Sequence, residues 1–279
     1  MAVQLMERDM KLLELLSATG TCTLAQAQQI YGDTTWYHYK RVEQLRKEGY
    51  LLKKGSFLEL AKKGAEVLGE TKYRVRGDEI RELSVEVANL ALRLDYSFIS
   101  PRVLRKELSL NRKTYFKGAI SYKDRQYFVY LLGDKSTQSY ITSIKGEMKA
   151  LSAAEIMSRA VVFNTTPDSM IVFGVDSCRL EELLLLPYPA GIDMLNQYLP
   201  MEIEGQPTNR TFAHTETEEN YIVSLILNDV AKRDILEAHY YTSTKNDKPV
   251  KILCLPKQKK FFASQYPLAE IETVDNPHA

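Results

Sequence analysis

Residues 23–64 read TLAQAQQIYGDTTWYHYKRVEQLRKEGYLLKKGSFLELAKKG, and this stretch decides the fold of the first part of the chain. Thr23 and Gln26 have the spacing of a capping box, in which the hydroxyl accepts from a free backbone amide and the Gln side chain reaches back. A short helix is therefore predicted over 24–31. Gly32 follows it and provides the stop that a helix of this length needs.

A second, basic helix is predicted after this turn. Asp33 or Thr34 can cap its start, it continues to Glu48, and Gly49 is its C-terminal cap. The apolar positions three residues apart predict its core face, formed by Tyr39, Val42 and Leu45. Its other side chains, polar or amphipathic, are expected to project outward.

The next segment predicts a hairpin with a basic tip. Strands are expected at 50–53 and 57–60 around the turn 54–56, and a short helix at 61–68 closes the module. An amphipathic helix at 4–18 precedes it, and the β-favouring residues 21–23 suit a short strand. This order of parts is that of a winged helix-turn-helix, a fold that places one helix in a DNA groove.

The second helix and the wing supply the side chains that duplex DNA requires. Cations and amides contact phosphates and base edges, aromatic rings contact sugars and thymine methyl groups, and hydroxyls at a helix start hold a phosphate. The predicted DNA contacts are Thr34, Thr35, Trp36, Tyr37, His38, Lys40, Arg41, Gln44 and Lys47 on the helix, with Lys53, Lys54 and Ser56 on the wing. The alternative is a protein-interaction module with a merely solvated basic face.

Two segments of this module resemble a known family. Residues 8–16 (RDMKLLELL) and 57–68 (FLELAKKGAEVL) are similar to the N-terminal module of replication-relaxation proteins, which are winged-helix proteins of plasmids and other mobile elements of Gram-positive bacteria. The family pattern Leu-Thr-x-x-Gly-x-x-Leu appears here with Ala61 in place of Thr and with Leu68 one position late.

The resemblance covers residues 5–70 well and extends weakly over 78–175, where the family has a helix followed by a sheet domain reminiscent of restriction-endonuclease folds. It implies DNA binding in plasmid replication, in conjugative relaxation or in control of the genes for these processes. It also implies structural roles for Tyr50, Phe57 and Gly64.

The charge is unevenly distributed along the chain. The formal net charge of all 279 residues is only +1, so DNA must be bound by a local basic surface. Residues 33–63 carry eight Lys or Arg against four acids, residues 101–128 eight against two, and residues 178–220 two against eight. The second basic run predicts a second candidate DNA surface, formed by Arg102, Arg105, Lys106, Arg112 and Lys113, against the alternative of a solvated helix face beside a hairpin turn.

The remainder of the chain predicts helices alternating with strands. Strands are expected at 116–122, 127–132, 159–164, 169–175, 221–227 and 250–255, and helices at 78–94, 101–109, 137–151 and 231–241. The predicted fold class is α+β: a winged helix at 1–72, a linker and connecting or dimerisation helix at 73–96, and a mixed α/β sheet domain at 97–279. Residues 176–217 gave no clear pattern.

A metal-dependent nuclease is the competing hypothesis of another class. Such an enzyme needs carboxylates to hold Mg²⁺ and an acid-x-Lys motif on a strand. Asp168 and Asp176 have plausible spacing, but Cys178 stands where the Lys is needed. A catalytic set, a cofactor and a metal site are therefore not predicted. The four histidines and three cysteines are scattered, which favours neither a metal site nor a disulfide framework.

We therefore expect a cytoplasmic, sequence-specific double-stranded DNA-binding protein that acts as a replication or relaxation accessory factor of a mobile element. A transcriptional repressor using the same module is the alternative. A homodimer is expected because specific sites usually comprise two half-sites, with the helix at 78–94 as the candidate interface. Replication or transfer proteins are candidate partners, and a membrane is not.

Overall fold

The computed structural model describes residues 4–32, 36–70, 75–110, 114–134, 136–166, 171–174, 176–242 and 247–274. The protein is a mixed α+β chain with several sheets, as the sequence predicts. It divides into two compact units, Met1–Asn111 and Arg112–Ala279. The segment 73–96, predicted as a connection, falls in the first unit.

The first unit begins with helices and a small three-stranded sheet. Its elements are α1 (Glu7–Thr19), β1 (Cys22–Thr23), α2 (Leu24–Tyr31), α3 (Tyr37–Lys47), β2 (Leu51–Lys54), β3 (Phe57–Leu60), α4 (Lys62–Val67), α5 (Asp78–Arg93), β4 (Ser97–Ile99) and α6 (Pro101–Glu107). The sheet has the order β1-β3-β2, and both pairs are antiparallel.

The local signals of the sequence explain where these elements begin and end. The amide of Gln26 donates to the Thr23 hydroxyl at 3.2 Å, and the Thr23 amide donates to Gln26 Oε1 at 2.8 Å. This capping box confirms the predicted start of α2. The β2–β3 hairpin turns at Gly55, whose φ of 62° is easily adopted by glycine.

Helix α5 belongs to the core of the first unit over part of its length. Ala88 is fully buried in the cluster that α1, α2 and the small sheet form. Gln26 Nε2 donates to the Val85 carbonyl at 2.8 Å and to Asn89 Oδ1 at 2.7 Å, which ties α5 to the start of α2. The apolar side chains of the helix predicted at 78–94 therefore fall into two groups: Ile80 and Leu83 are exposed, whereas Val87, Leu90 and Leu94 are buried.

Gly64 lies where a side chain has no room. A Cβ placed there would lie 2.5 Å from the Tyr50 carbonyl oxygen and 2.8 Å from Leu60 Cδ1. We expect Gly64→Ala to lower the free energy of unfolding of the first unit by about 1–3 kcal/mol, because the backbone of α4 must move away from the Tyr50 carbonyl group. Urea unfolding measures this loss.

The matched control is Gly146→Ala. Gly146 is an exposed glycine inside a helix, where a Cβ meets nothing within 4 Å. This exchange should leave stability unchanged or raise it by about 0.5–1 kcal/mol. Equal effects of the two exchanges would contradict the close approach at Gly64.

The second unit contains two sheets. Its elements are β5 (Gly118–Tyr122), β6 (Arg125–Leu132), α7 (Gln138–Ala153), β7 (Arg159–Asn164), β8 (Glu182–Pro187), α8 (Ala190–Tyr198), β9 (Thr215–Glu216), β10 (Tyr221–Ser224), α9 (Val230–Thr242), β11 (Val250–Cys254), α10 (Lys259–Gln265) and β12 (Glu270–Thr273). Strands β6, β7 and β8 are parallel neighbours, with β5 antiparallel to β6. Strands β10, β11 and β12 are parallel neighbours, with β9 antiparallel to β10.

The parallel strands β6, β7 and β8 have uninterrupted apolar sequences because both of their faces are buried. The runs YFVYLL of β6, AVVF of β7 and LLLL of β8 are buried without alternation, which is typical of parallel strands covered on two sides. Helix α7 supplies the long crossover that the parallel pair β6–β7 requires.

Sequence reasoning misplaced one segment of the second unit and missed five of its described elements. The strand predicted at 169–175 is wrong in its described part, since residues 171–173 are helical. The elements that were not predicted are strand β8, helix α8, strand β9, helix α10 and strand β12. Throughout the described part, each helix is too short or too polar to cross a lipid bilayer.

Candidate nucleic-acid interface

Helix α3 buries a stripe that differs from the predicted one. His38 and Arg41 are buried, with exposed fractions of 2% and 9%, and they line up with the buried Val42 and Leu45. Tyr39, predicted in the core, is 48% exposed. The expectations that Tyr39 faces inward and that His38 and Arg41 project outward are therefore wrong.

The reason for this correction is a buried ion pair. Arg41 donates from Nε to Asp9 Oδ1 at 3.0 Å and from a terminal nitrogen to Asp9 Oδ2, and Asp9 is fully buried. Tyr31 donates its hydroxyl to Asp9 Oδ1 at 2.8 Å, and the Met6 amide donates to Oδ2 at 2.8 Å. A guanidinium partnered in this way can occupy the inner face of α3.

The electrostatics of this cluster fix its charge state. Burial alone would raise the pKa of Asp9. The hydrogen bonds from Arg41, from the Met6 amide and from Tyr31 outweigh burial and hold the pKa of this carboxyl below its ordinary value. The hydrogen bond to Asp9 raises the pKa of Arg41. The pair is therefore ionised at neutral pH and locks α1, α2 and α3 together.

Arg41 also orients a neighbour on the surface. Its Nη1 donates to Gln44 Oε1 at 2.9 Å. A guanidinium has only donors, so Gln44 turns its oxygen to Arg41 and keeps its NH₂ group for an acceptor elsewhere. In this way a buried residue positions a polar side chain that is exposed to solvent.

The outward face of α3 is formed by Trp36, Tyr39, Lys40, Gln44 and Lys47, all of them exposed. The rings of Trp36 and Tyr39 lie 5.9 Å apart, and Trp36 is 68% exposed. Within the described ranges of the chain, Lys40 and Lys47 form no close ion pair. The hydrogen bond from Arg46 and, less strongly, the charges of Lys47 and Lys53 lower the pKa of Glu43. This face combines exposed cations, an amide donor and an aromatic pair, the groups that contact phosphates, base edges and bases.

Other predicted contacts fall around this face. Lys53, Lys54 and Ser56 are exposed at the β2–β3 hairpin, and α3 packs next to β2. Tyr37 is 39% exposed, with its hydroxyl toward Met6 of α1. Thr34 and Thr35 lie outside the described residues.

The second predicted basic surface is weaker than its sequence suggests. Arg102 donates to the Ser17 carbonyl and to Glu70, each at 3.1 Å, so its charge is partnered within the first unit. Arg105 donates to the Pro101 carbonyl of its own helix at 3.1 Å, and Lys106 is exposed. Arg112 and Lys113 lie outside the described residues.

The acids considered for a nuclease do not form a metal site in the described ranges. Asp176 pairs with Lys149 at 2.7 Å and accepts from the Cys178 amide at 2.9 Å. Asp168 lies outside the described residues. Where side chains are described, no group of three or more His, Cys, Asp or Glu could hold a metal ion.

Sequence reasoning missed Asp9 and Tyr31, the partners that draw Arg41 inward. The sequence did contain an indication of this pair. Asp9 lies on the same side of α1 as the buried residues Leu12 and Leu13, and a carboxylate at a buried position requires a partner.

Comparison of the chain with protein-family models, with curated proteins and with solved structures gave no match. These comparisons therefore supply no relative whose function could be transferred to the chain.

Proposed function

We propose that the protein binds double-stranded DNA through a winged helix-turn-helix formed by α1 to β3, with α3 as the recognition helix. The observation that carries this proposal is the outward face of α3, where Lys40 and Lys47 are exposed beside the exposed ring of Trp36 and form no close ion pair with the described acids. Exposed cations beside an exposed ring can contact the phosphates and bases of nucleic acid.

The arrangement around α3 supports the same proposal. Helix α2 and helix α3 are consecutive and in contact, and the hairpin that follows pairs with the short strand β1. A winged helix has this order of parts, and its hairpin contacts the DNA backbone beside the recognition helix. Lys53 and Lys54, exposed on the hairpin, suit phosphate contacts.

For the biological setting, we propose a replication or relaxation accessory factor of a plasmid or other mobile element. The support is the resemblance of residues 8–16 and 57–68 to replication-relaxation proteins, together with the tight site at Gly64 within that motif. A transcriptional repressor would use the same surface and is the alternative. The exposed Ile80 and Leu83 of α5 are the residues through which we propose a homodimer.

The test is capture of sheared DNA from the source cell by the full chain, followed by sequencing of the bound fragments. A peak at a replication or transfer origin supports the accessory-factor role, and peaks at promoters support the repressor. A variant with Lys40→Ala and Lys47→Ala should lose the peaks. Uniform recovery of all fragments, unchanged by this variant, would contradict specific binding through α3.

A further inference from the structure

Gln44 lies in the middle of the outward face of α3. Lys40, Gln44 and Lys47 follow one another at spacings of four and three residues, so they share one side of the helix, and all three are exposed. With the two lysines at phosphates, the amide between them is the group on this side that reaches base edges. Gln44 is therefore the residue from which a base preference can be argued.

The position of the Gln44 amide is set by the buried side chain of Arg41. Arg41 Nε donates to both oxygens of the fully buried Asp9, at 3.0 Å and 3.1 Å. One terminal nitrogen donates to Asp9 and, at 2.7 Å, to the Gln4 carbonyl. The planar guanidinium is thus held by two of its three nitrogens, and the third, Nη1, donates to Gln44 Oε1 at 2.9 Å. The direction of Nη1 is therefore fixed from within the core.

This contact decides which end of the amide is available to DNA. A free glutamine pairs best with adenine, because its oxygen accepts from N6 while its NH₂ group donates to N7. In Gln44 the oxygen is turned to the guanidinium, and the NH₂ group at the other end of the planar amide is left for DNA. In the major groove guanine presents two acceptors, N7 and O6, whereas thymine presents one acceptor and cytosine only a donor. A side chain that offers only a donor therefore matches guanine best.

We infer that Gln44 selects guanine in the major groove through its NH₂ group, and that Arg41 is the residue that positions it for this choice. The inference rests on the proposed function, since it requires α3 to enter the groove. It goes further because it names the base selected at one position and the buried side chain that imposes the selection. Adenine is disfavoured because its N6 group meets no acceptor, and a donor left unpaired in a contact weakens binding.

The test uses a duplex captured by the full chain, in which each base pair is changed in turn to the other three. Competition anisotropy gives the relative affinities of these duplexes for the wild type and for its variants. We expect at least one position at which the wild type prefers guanine over cytosine by about tenfold or more. Gln44→Ala removes the donor and should reduce this preference to about twofold or less.

Gln44→Glu exchanges the donor for an acceptor. One carboxylate oxygen still accepts from Arg41, and the other takes the place of the NH₂ group. The preference at the same position should invert from guanine to cytosine, whose N4 group donates in the major groove. Lys40→Ala is the matched control on the same side of α3. It should weaken binding to all the duplexes alike and leave the preference at this position as in the wild type.

Arg41→Lys tests the positioning role. The ammonium can still pair with Asp9, but it has no second, rigidly held nitrogen for Gln44. The amide is then free to turn, so the preference for guanine over adenine should fall at least about threefold. Urea unfolding shows whether this variant is folded, and the inversion in Gln44→Glu decides the question if it is not.

The outcomes separate this inference from the proposed function. A wild type that retains no duplex would contradict the proposed function and this inference with it. Specific binding with base preferences that are the same in the folded Gln44→Ala and Gln44→Glu variants would overturn this inference alone. A position that depends on Gln44 and prefers adenine would overturn it as well, and an unchanged preference in a folded Arg41→Lys variant would overturn the positioning role.

Discussion

Arg41→Ala is expected to lower the free energy of unfolding of the first unit by about 3–5 kcal/mol. The exchange leaves the fully buried Asp9 carboxylate without its cation, and hydrogen bonds from Tyr31 and from one backbone amide cannot replace it. This is a large part of the stability of a small unit. Loss of DNA binding in this variant would therefore report unfolding and not a missing contact.

Urea unfolding followed by tryptophan fluorescence reports on the first unit, because Trp36 is the only tryptophan of the sequence and lies in that unit. The matched control is Lys40→Ala, which removes an exposed cation from the same helix and should change stability by no more than about 0.5 kcal/mol. Similar, small effects of both exchanges would contradict the buried pair.

The same pair predicts a dependence on pH. The pKa of Asp9 is lowered by folding, so its contribution is complete above the unfolded-state pKa of about 3.9 and is lost as the pH falls through the folded value. We expect the stability difference between the wild type and Asp9→Asn to be constant near neutral pH and to shrink in acid. A difference that grows in acid would contradict this sign.

Replacing four lysines of the proposed interface by Ala is expected to weaken duplex binding on the order of a thousandfold near 0.1 M salt. These residues, Lys40, Lys47, Lys53 and Lys54, are exposed and form no close ion pair within the described ranges. If each neutralises one phosphate, the slope of log affinity against log salt should fall by about 0.9 for each lysine removed. Anisotropy of a labelled duplex over a range of salt concentrations gives both quantities.

The control removes the same charge elsewhere. Lys11, Lys62, Lys149 and Lys251 each pair with an acid, and none lies on α3 or the β2–β3 hairpin. Their fourfold exchange should leave the salt slope unchanged. Equal losses in the two fourfold variants would show that net charge, and no particular surface, governs binding.

Much of the first unit could be predicted from the sequence, because the motifs that begin and end its elements each involve only a few neighbouring residues. The Thr23–Gln26 capping box and the Gly55 turn depend only on chain neighbours, and the structure has α2 and β3 at their predicted bounds. The orientation of α3 depends on Asp9, which is 32 residues away from Arg41. Helical spacing is compatible with Tyr39, Val42 and Leu45 as the core face. The ion pair with the distant Asp9 instead turns Arg41 inward and leaves Tyr39 exposed.

The second unit was harder to predict for a related reason. The run LLLL of β8 is too short and too uniformly apolar to distinguish a strand from a buried helix. Its strand pairing is settled by β7, which is distant in sequence.

The most direct test of the central claim uses the emission of Trp36 while a labelled duplex of a captured sequence is titrated with the full chain. Trp36 is 68% exposed on the outward face of α3, so bound DNA must change its surroundings. The account predicts quenching that follows the anisotropy of the duplex, and recovery of both signals with added salt. A duplex that binds while the emission of Trp36 stays constant would contradict α3 as the recognition helix.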